Sequence, residues 1–386
     1  MKPIHYLTAF NFLNHSAFSG GRVLVALYAV FLGASPTMVG LLVGLFAVVP
    51  MVGSVPLGRM ADRHRARKPL ILYIVMSSAG LLICALWQDT AALMVTGAVV
   101  GASYIALNII CTALAGRHGD AAQRPINFTW LGLGTSAANT LGPLTAGFAI
   151  DHLGFRAAAL IMTALPLLSL PLVLLGRLPG QDTPPAQPKA GTRRGRPTEL
   201  LFHPGMFPVY LMGVYFMLAW DIFLVMTPVY GKQLGISASG IGIIIATYSA
   251  AVFVMRLFAG PVARTFTPWQ AMLLSLALTA GVCIIYGLVS QVWLLIACAF
   301  LMGACQSFAA PMAQTALFEN SPRERYSEAM GLRMSLGMAC QFVLPLLAGV
   351  LASFVGVQAI FWVVGVAMLA GGWVYRGYWK QSPKAN

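Results

Sequence analysis

The fold of this chain is decided most directly by residues 58–68, which read GRMADRHRARK. Five of these residues are Lys or Arg, and long apolar stretches lie on both sides of them. An apolar stretch of about 20 residues crosses about 30 Å of hydrocarbon as a helix. Lys and Arg concentrate in the loops on the cytoplasmic side of such helices. Residues 58–68 are therefore predicted to join two membrane-spanning helices in the cytoplasm.

The rest of the composition extends this interpretation to the whole chain. Of its 386 residues, 59% are hydrophobic and 9% are charged, whereas a soluble domain has about 25% charged residues. Helices satisfy their own backbone groups in hydrocarbon, so we predict an all-α membrane protein. Its twelve predicted spans, called spans 1 to 12, cover residues 6–31, 36–57, 69–87, 91–115, 125–150, 155–176, 205–231, 237–262, 268–289, 292–318, 326–353 and 356–376.

The basic residues follow this topology. With both termini placed in the cytoplasm, all but four of the 24 Lys and Arg residues fall on the cytoplasmic side. Of the four, Arg156 and Lys232 lie outside, while Arg22 and Arg256 lie within the membrane. The positive-inside rule therefore predicts cytoplasmic termini. The net charge of +14 is spread over many loops, so it does not predict a nucleic-acid partner.

The chain divides into two similar halves. Residues 178–204 contain the run QDTPPAQPKAGTRRGRP and are predicted to be a cytoplasmic linker between six-helix bundles at 1–177 and 205–386. A shift of 202 residues aligns the halves and gives eight identical pairs in the 34 positions from 28 to 61. Because each half has six spans, both halves run the same way, related by an axis along the membrane normal. The aligned pairs include Gly33 with Gly235, Gly40 with Gly242, Pro143 with Pro345, Gly147 with Gly349 and Gly154 with Gly356.

Residues 58–68 also resemble the cytoplasmic signature of the major facilitator superfamily, G-x-L-A-D-R-x-G-R-K-R. Arg65 departs from it, because it stands where glycine is usual. The resemblance implies a twelve-span transporter that works by alternating access, as a monomer in a bacterial inner membrane, without a cofactor or metal. The residues that carry the match are Gly58, Ala61, Asp62, Arg63, Arg67 and Lys68.

In that family the matching loop is a gate, so the resemblance implies roles for its residues. Asp62 would cap the N-terminal end of span 11, where a carboxylate meets a partial positive charge. Arg63, Arg67 and Lys68 would clamp neighbouring cytoplasmic ends. Arg264 stands at the position of Asp62 in the second half, so we expect an asymmetric gate. The alternative interpretation is that the loop only sets the topology.

Span 5 has a second, shorter resemblance. Gly142, Pro143 and Gly147 look like the end of a motif found in proton-driven drug exporters of the same superfamily. Gly and Pro in membrane helices also permit close contact and kinks. Ordinary helix packing is therefore the alternative, although the motif favours export.

Two charged residues in the spans are the first candidates for coupling. A charge at the membrane centre costs about 2.5–3.5 kcal/mol or more. Arg22 in span 1 and Asp221 in span 7 each lie roughly 15 Å from the outer end of their helix, at 1.5 Å per residue. We hypothesise that Asp221 takes up and releases a proton while Arg22 pairs with it in one state and withdraws in another. A structural salt bridge is the alternative.

Further polar residues are candidates for the coupling site and the solute cavity. His15 shares a helix face with Arg22 and is a second candidate proton carrier. The cavity candidates are Asn11, Asn14 and Ser19 in span 1, Tyr104 and Asn108 in span 4, Trp220 in span 7, Arg256 in span 8 and Gln306 in span 10. Each also has a purely structural interpretation, namely helix packing or, for Arg256, a side chain that reaches toward the membrane–water interface.

The expected function is secondary transport of a small solute. The sequence has no GxxxxGK[ST] loop that binds ATP, so the energy would come from a gradient. The leading expectation is efflux of the solute coupled to the proton gradient. Uptake of an organic anion or metabolite by symport or exchange is an alternative, with Arg22 and Arg256 as anion ligands. A ligand sensor or an intramembrane enzyme is an alternative of another class, although the six cysteines have no metal-ligand spacing and are interpreted as packing residues.

Overall fold

Helices are the only regular secondary structure in the part of the chain that the computed structural model describes. That part comprises residues 3–63, 65–87, 89–118, 123–181, 199, 201–203, 205–256, 265–320 and 326–380. Within these ranges, the backbone alone is described for residues 49–50, 52–63, 117, 123–125, 256, 310–311, 314–315, 318–319, 326–328, 330–331, 334 and 378–380.

The described helices account for every predicted span. Spans 1 to 4 are Pro3–Phe31, Pro36–Arg63, Arg67–Leu86 and Thr90–Arg117, and spans 5 and 6 form the single helix Gln123–Leu174 with a bend. Spans 7 to 9 are Phe207–Gln233, Ala238–Arg256 and Pro268–Tyr286. Span 10 is divided into Val292–Gln306 and Ala309–Asn320, span 11 is Tyr326–Val355, and span 12 is Val357–Val374 followed by the 3-10 helix Tyr375–Lys380.

Two boundaries differ from the prediction. The helix of span 2 continues to Arg63, so the first half of the predicted loop 58–68 is helical. Spans 5 and 6 are joined without a loop, and the chain turns only at Gly154, whose φ is 82°. This positive φ is open to glycine at little cost. Gly356, its partner in the repeat, has a φ of 85° at the start of span 12.

Span 1 carries several polar and charged side chains along its length. Eight helices in the described ranges are long and apolar enough to cross a membrane, and one of them, Ile126–Leu174, holds two spans. Span 1 is not among them, since Asn11, Asn14, His15 and Arg22 lower its hydropathy. All four side chains are buried in the protein. Span 1 is therefore an internal helix whose polar groups contact other helices.

The two halves meet at two matching contacts. Span 2 packs against span 11, and span 5 packs against span 8. Gly40 faces the carbonyl of Pro345 in the first contact, and a Cβ at Gly242 would lie 2.7 Å from the carbonyl oxygen of Pro143 in the second. Gly40 and Gly242 are repeat partners, as are Pro143 and Pro345. The same residues therefore meet twice, as a two-fold relation between the halves requires.

A second pair of close approaches repeats the pattern nearer the helix ends. A Cβ at Gly147 would lie 2.5 Å from the carbonyl oxygen of Ala238, and Gly349 approaches the carbonyl of Pro36 in the same way. The end of the molecule that carries the turns 32–35 and 234–237 is called the outer end, following the predicted topology, and the opposite end is the inner end. Both matching contacts lie toward the outer end.

Candidate transport site

A buried ion pair joins the two halves at the centre. Arg22 Nη2 in span 1 lies 3.4 Å from Asp221 Oδ1 in span 7. Asp221 is 0% exposed and Arg22 is 6% exposed. A charge-assisted N–H···O bond is normally about 2.7–2.9 Å long. The pair is therefore held by one long contact, although its charges are removed from water.

The ion pair has unused hydrogen-bonding capacity. Asp221 Oδ2 and Arg22 Nε have no hydrogen-bond partner among the described residues. A cavity of about 20 Å³ adjoins the pair, which is enough for about one water molecule. Residues of both halves line it, namely Phe18, Ser19, Arg22, Asn139, Pro143, Trp220, Leu224 and Ile245. Arg22 lines this cavity and Asp221 does not, so a polar group in the cavity meets the arginine side of the pair.

Aromatic side chains flank the pair symmetrically. The rings of Phe18 and Phe46 lie 5.8 Å apart in the first half, and those of Trp220 and Tyr248 lie 4.5 Å apart in the second. Phe18 and Trp220 are repeat partners, as are Phe46 and Tyr248. Tyr104 stacks on Phe18 with a centroid distance of 3.8 Å. Aromatic pairs in such arrangements add about 0.5–1.5 kcal/mol beyond simple burial, so these contacts stabilise the two aromatic walls.

His15 lies to one side of the Arg22–Asp221 pair, in the first half. Its Nε2 is 2.9 Å from Asn139 Oδ1. Its ring packs edge-on against the ring of Tyr104, with 5.0 Å between the ring centroids. His15 Nδ1 has no partner within the described part of the chain. Because Asn139 also lines the central cavity, His15 is connected to that cavity through one hydrogen bond.

Two polar candidates on spans 4 and 10 lie beside the aromatic walls. Asn108 Nδ2 is 3.5 Å from the hydroxyl of Tyr104, which is a weak contact. Gln306 Oε1 accepts a hydrogen bond of 3.0 Å from the Tyr248 hydroxyl. Gln306 Nε2 is left without a partner among the residues described. Gln306 and Tyr104 thus occupy corresponding places in the two halves.

Two of the span 1 candidates lie in the interior of the first half. Asn11 Nδ2 donates to Thr135 Oγ1 at 2.9 Å in span 5, and Asn14 Nδ2 donates to Ser169 Oγ at 3.0 Å in span 6. Ser19 lines the central cavity while its hydroxyl donates to the Ala138 carbonyl at 2.9 Å. The side chain of Arg256 lies outside the described residues.

The structure describes the predicted gate only in part. Gly58, Asp62 and Arg63 are in the last turns of span 2, but their side chains lie outside the description. Arg67 Nη2 donates to the carbonyl oxygen of Leu174 at 2.6 Å, at the inner end of span 6. A cation there satisfies an unpaired helix-terminal carbonyl. Lys68 is exposed.

The span 5 motif packs against two helices. A Cβ at Gly142 would lie 2.7 Å from the carbonyl oxygen of Ser16 in span 1. Pro143 and Gly147 face span 8, as described above. The motif therefore allows span 5 to approach its own half and the other half at the same time, next to the central cavity.

A set of polar contacts at the outer end involves none of the sequence-predicted site residues. Asp151 accepts hydrogen bonds from the backbone N–H groups of Ala238 and Ser239, at 3.0 and 2.7 Å. These groups begin span 8, so a residue of span 5 caps a helix of the other half. In the matching place, the hydroxyls of Thr37 and Ser353 lie 2.9 Å apart. The repeat contained the signal, because it pairs Asp151 with Ser353 and Thr37 with Ser239.

Asp151 lies at the turn between spans 5 and 6, and its charge is stabilised there. Partial burial acts to raise the pKa of Asp151, but the hydrogen bonds from Ser239 and Ala238 outweigh it and hold the pKa below its ordinary value of 3.8. The group is therefore ionised throughout the neutral range. We call Asp151, Thr37, Ala238, Ser239 and Ser353 the outer latch.

Comparisons with known proteins agree with this architecture. The chain matches the family model of the Major Facilitator Superfamily at residues 7–237 and 209–386. It is 24% identical over 350 residues to the class B tetracycline resistance protein of Escherichia coli, covering 85% of this chain and 82% of that protein. It is 27% identical over 321 residues to the enterobactin exporter EntS of Escherichia coli O127:H6, covering 77% and 73%.

Solved structures share the fold at low sequence identity. A POT family transporter in complex with a thioalcohol-conjugated peptide superposes with a TM-score of 0.82 at 13% identity, covering 98% of this chain and 96% of that one. The nucleoside transporter NupG superposes with a TM-score of 0.78 at 14% identity, covering 99% and 100%.

Two six-helix halves around a buried polar centre are the architecture of a multi-pass membrane transporter of small molecules. The family match covers both halves, and the chain belongs to the major facilitator superfamily. The predicted fold class and family are confirmed.

Proposed function

We propose that the chain exports a small drug-like or metabolite solute from the cytoplasm in exchange for a proton, which Asp221 carries. The observation that carries the proposal is the Arg22–Asp221 pair, which joins the halves by one 3.4 Å contact and leaves an acceptor and a donor unused. A contact across two moving bodies breaks when they rock. An isolated buried carboxylate is far more costly than a neutral carboxyl group, so Asp221 takes a proton when Arg22 withdraws.

The surroundings of the pair support a solute site in the same place. Phe18 and Trp220 offer apolar faces from opposite halves, and Gln306 and Asn139 offer polar atoms nearby. Ligand pockets commonly combine a mostly apolar wall with a few polar groups. Two relatives are named for tetracycline resistance and for enterobactin export, and this favours export over uptake.

The proposal includes the setting of the protein. We place it as a monomer in a bacterial inner membrane, and the distribution of Lys and Arg predicts that both termini lie in the cytoplasm. The outer latch and the glycine contacts then close the path to the outside in the conformation described. Loading of solute from the cytoplasm then requires the halves to separate at the inner end, because the central cavity of about 20 Å³ holds only about one water molecule in this conformation.

Transport in inverted membrane vesicles tests the proposal. Tetracycline and enterobactin are the first solutes to try, and a wider panel is screened by proton release when solute binds to the purified protein in weak buffer. Wild-type protein should concentrate an identified solute inside inverted vesicles when their interior is acid. Accumulation that needs the opposite pH gradient would instead support uptake of an organic anion.

Variants of the pair separate coupling from folding. Asp221→Asn alone leaves Arg22 buried and unpaired, which costs about 3–5 kcal/mol of stability. The double variant Asp221→Asn with Arg22→Gln removes both charges, so it should recover stability but lose accumulation against a gradient. Asp89→Asn is the control, because Asp89 only caps span 4 and Asn caps as well as Asp. Uphill transport by the double variant would contradict the coupling role of Asp221.

A further inference from the structure

A second cavity lies at the inner end of the second half, between spans 9 and 12. Its volume is about 590 Å³. Apart from two glycines, it is lined by Leu273, Ala277, Met368, Leu369, Trp373 and Arg376. It shares no residue with the central cavity. We call it the inner groove.

The inner groove has a closed floor and an open side. Leu273 and Met368 are 7% and 0% exposed, whereas Leu369 and Trp373 are 44% and 64% exposed. The open side therefore faces outward from the helix bundle. At this depth the surroundings of a membrane protein are lipid, so the groove opens to acyl chains and not to water. A Cβ at Gly377 would meet nothing within 4 Å, so the groove is open beside this residue.

One end of the inner groove is cationic. The guanidinium of Arg376 lies 4.2 Å from the centroid of the Trp373 ring, and Arg376 is exposed. No carboxylate pairs with Arg376 among the residues described. Trp is enriched at the boundary between hydrocarbon and water. The stacked pair thus places a positive charge at headgroup level, at the mouth of an apolar channel.

We propose that the inner groove binds an anionic phospholipid of the cytoplasmic leaflet. Arg376 contacts the headgroup phosphate, and one acyl chain lies along Trp373 and Leu369 over the floor at Met368 and Leu273. From Arg376 to Met368, span 12 and the turn after it extend roughly 12 Å at 1.5 Å per residue, so the ligand is held from its phosphate into its chain. Arginine binds phosphate by a fork of parallel N–H donors. Basic sites between helices on the cytoplasmic side are suited to acidic headgroups.

Native mass spectrometry of the full-length protein in mild detergent tests the proposal. Phosphatidylglycerol is titrated and compared with phosphatidylethanolamine of the same acyl chains. Arg376→Gln should weaken binding of phosphatidylglycerol about fivefold, the effect of one basic residue near an anionic surface, and Arg376→Lys should retain most of it. Ala277→Phe fills the groove from an exposed position and should reduce binding of both lipids.

Matched variants control for general effects. Arg177 is also an exposed arginine over an aromatic ring, 5.8 Å from Tyr6, at the inner end of span 6. Leu278 is 50% exposed beside the groove but does not line it. Arg177→Gln and Leu278→Phe should bind phosphatidylglycerol as the wild type does. Equal lipid binding by Arg376→Gln, Ala277→Phe and wild type, equal weakening by the two control variants, or no preference for phosphatidylglycerol would each overturn the proposal.

Discussion

Replacing Asp151 by alanine should weaken the closed outer end by a measurable amount. Asp151 accepts two backbone N–H groups at the start of span 8, at 3.0 and 2.7 Å. Alanine leaves both without this acceptor. Loss of such a helix cap costs typically about 1 kcal/mol, within a range of about 0.5–2 kcal/mol. Because 1.4 kcal/mol corresponds to a factor of ten, the ratio of outward-open to closed molecules should rise about fivefold.

Distances between spin labels measure this ratio. Labels at Leu153 and Gln233, which are exposed at the outer ends of opposite halves, report separation in a variant without native cysteines. Asp151→Asn should give a smaller shift than Asp151→Ala, because its amide oxygen still accepts hydrogen bonds. Ser353→Ala should also give a smaller shift, because it removes a single neutral contact with Thr37.

Two results would refute the role of the outer latch. An unchanged distance distribution for Asp151→Ala would show that the carboxylate does not stabilise the closed end. A larger shift for Ser353→Ala than for Asp151→Ala would show that the charge and the helix start are not the main contribution.

Other predictions follow from the same contacts. Gly40→Leu should abolish transport because its side chain would meet backbone of span 11, whereas Gly132→Leu should be tolerated because a Cβ there would meet nothing within 4 Å; solute flux and expression level compare the two. The difference in label distances between wild type and Asp151→Ala should stay constant from about pH 5 to 8, because the pKa of Asp151 is held below 3.8; that difference should shrink only as pH falls through the lowered pKa. Phe18→Ala and Trp220→Ala should each weaken solute binding about tenfold or less, as expected from 0.5–1.5 kcal/mol of ring contact, and equilibrium binding measures this.

The repeat in the sequence predicted more than the helix count. It paired Gly40 with Gly242 and Pro143 with Pro345, and these residues make the two matching contacts between the halves. It also paired Gly154 with Gly356, and both have a positive φ. A repeat shift carries such information because each half must use the same residue at the same turn or close approach. The division at residues 178–204 stays a prediction.

The candidate site was less predictable. Asn11 and Arg22 share a face of span 1, yet Asn11 bonds to span 5 while Arg22 reaches span 7. Helical period shows which residues share a face, but it does not show which neighbour that face meets along its length. Asp151 was missed because it stands at a turn, where helical period gives no information, and because its partners are backbone groups of the other half. The roles of Arg22, Asp221 and His15 stay predictions.

The two contacts between the halves use repeat-related glycines and prolines, but different polar groups hold their outer ends together. A carboxylate on a helix terminus secures spans 5 and 8, while two hydroxyls secure spans 2 and 11. Breaking the neutral hydroxyl contact costs less free energy than breaking the ionic helix cap, so we expect spans 2 and 11 to separate at their outer ends before spans 5 and 8. Solute would then escape preferentially along one edge of a nearly symmetric molecule, and directionality of exit would arise from a single unmatched pair of residues, Asp151 and Ser353.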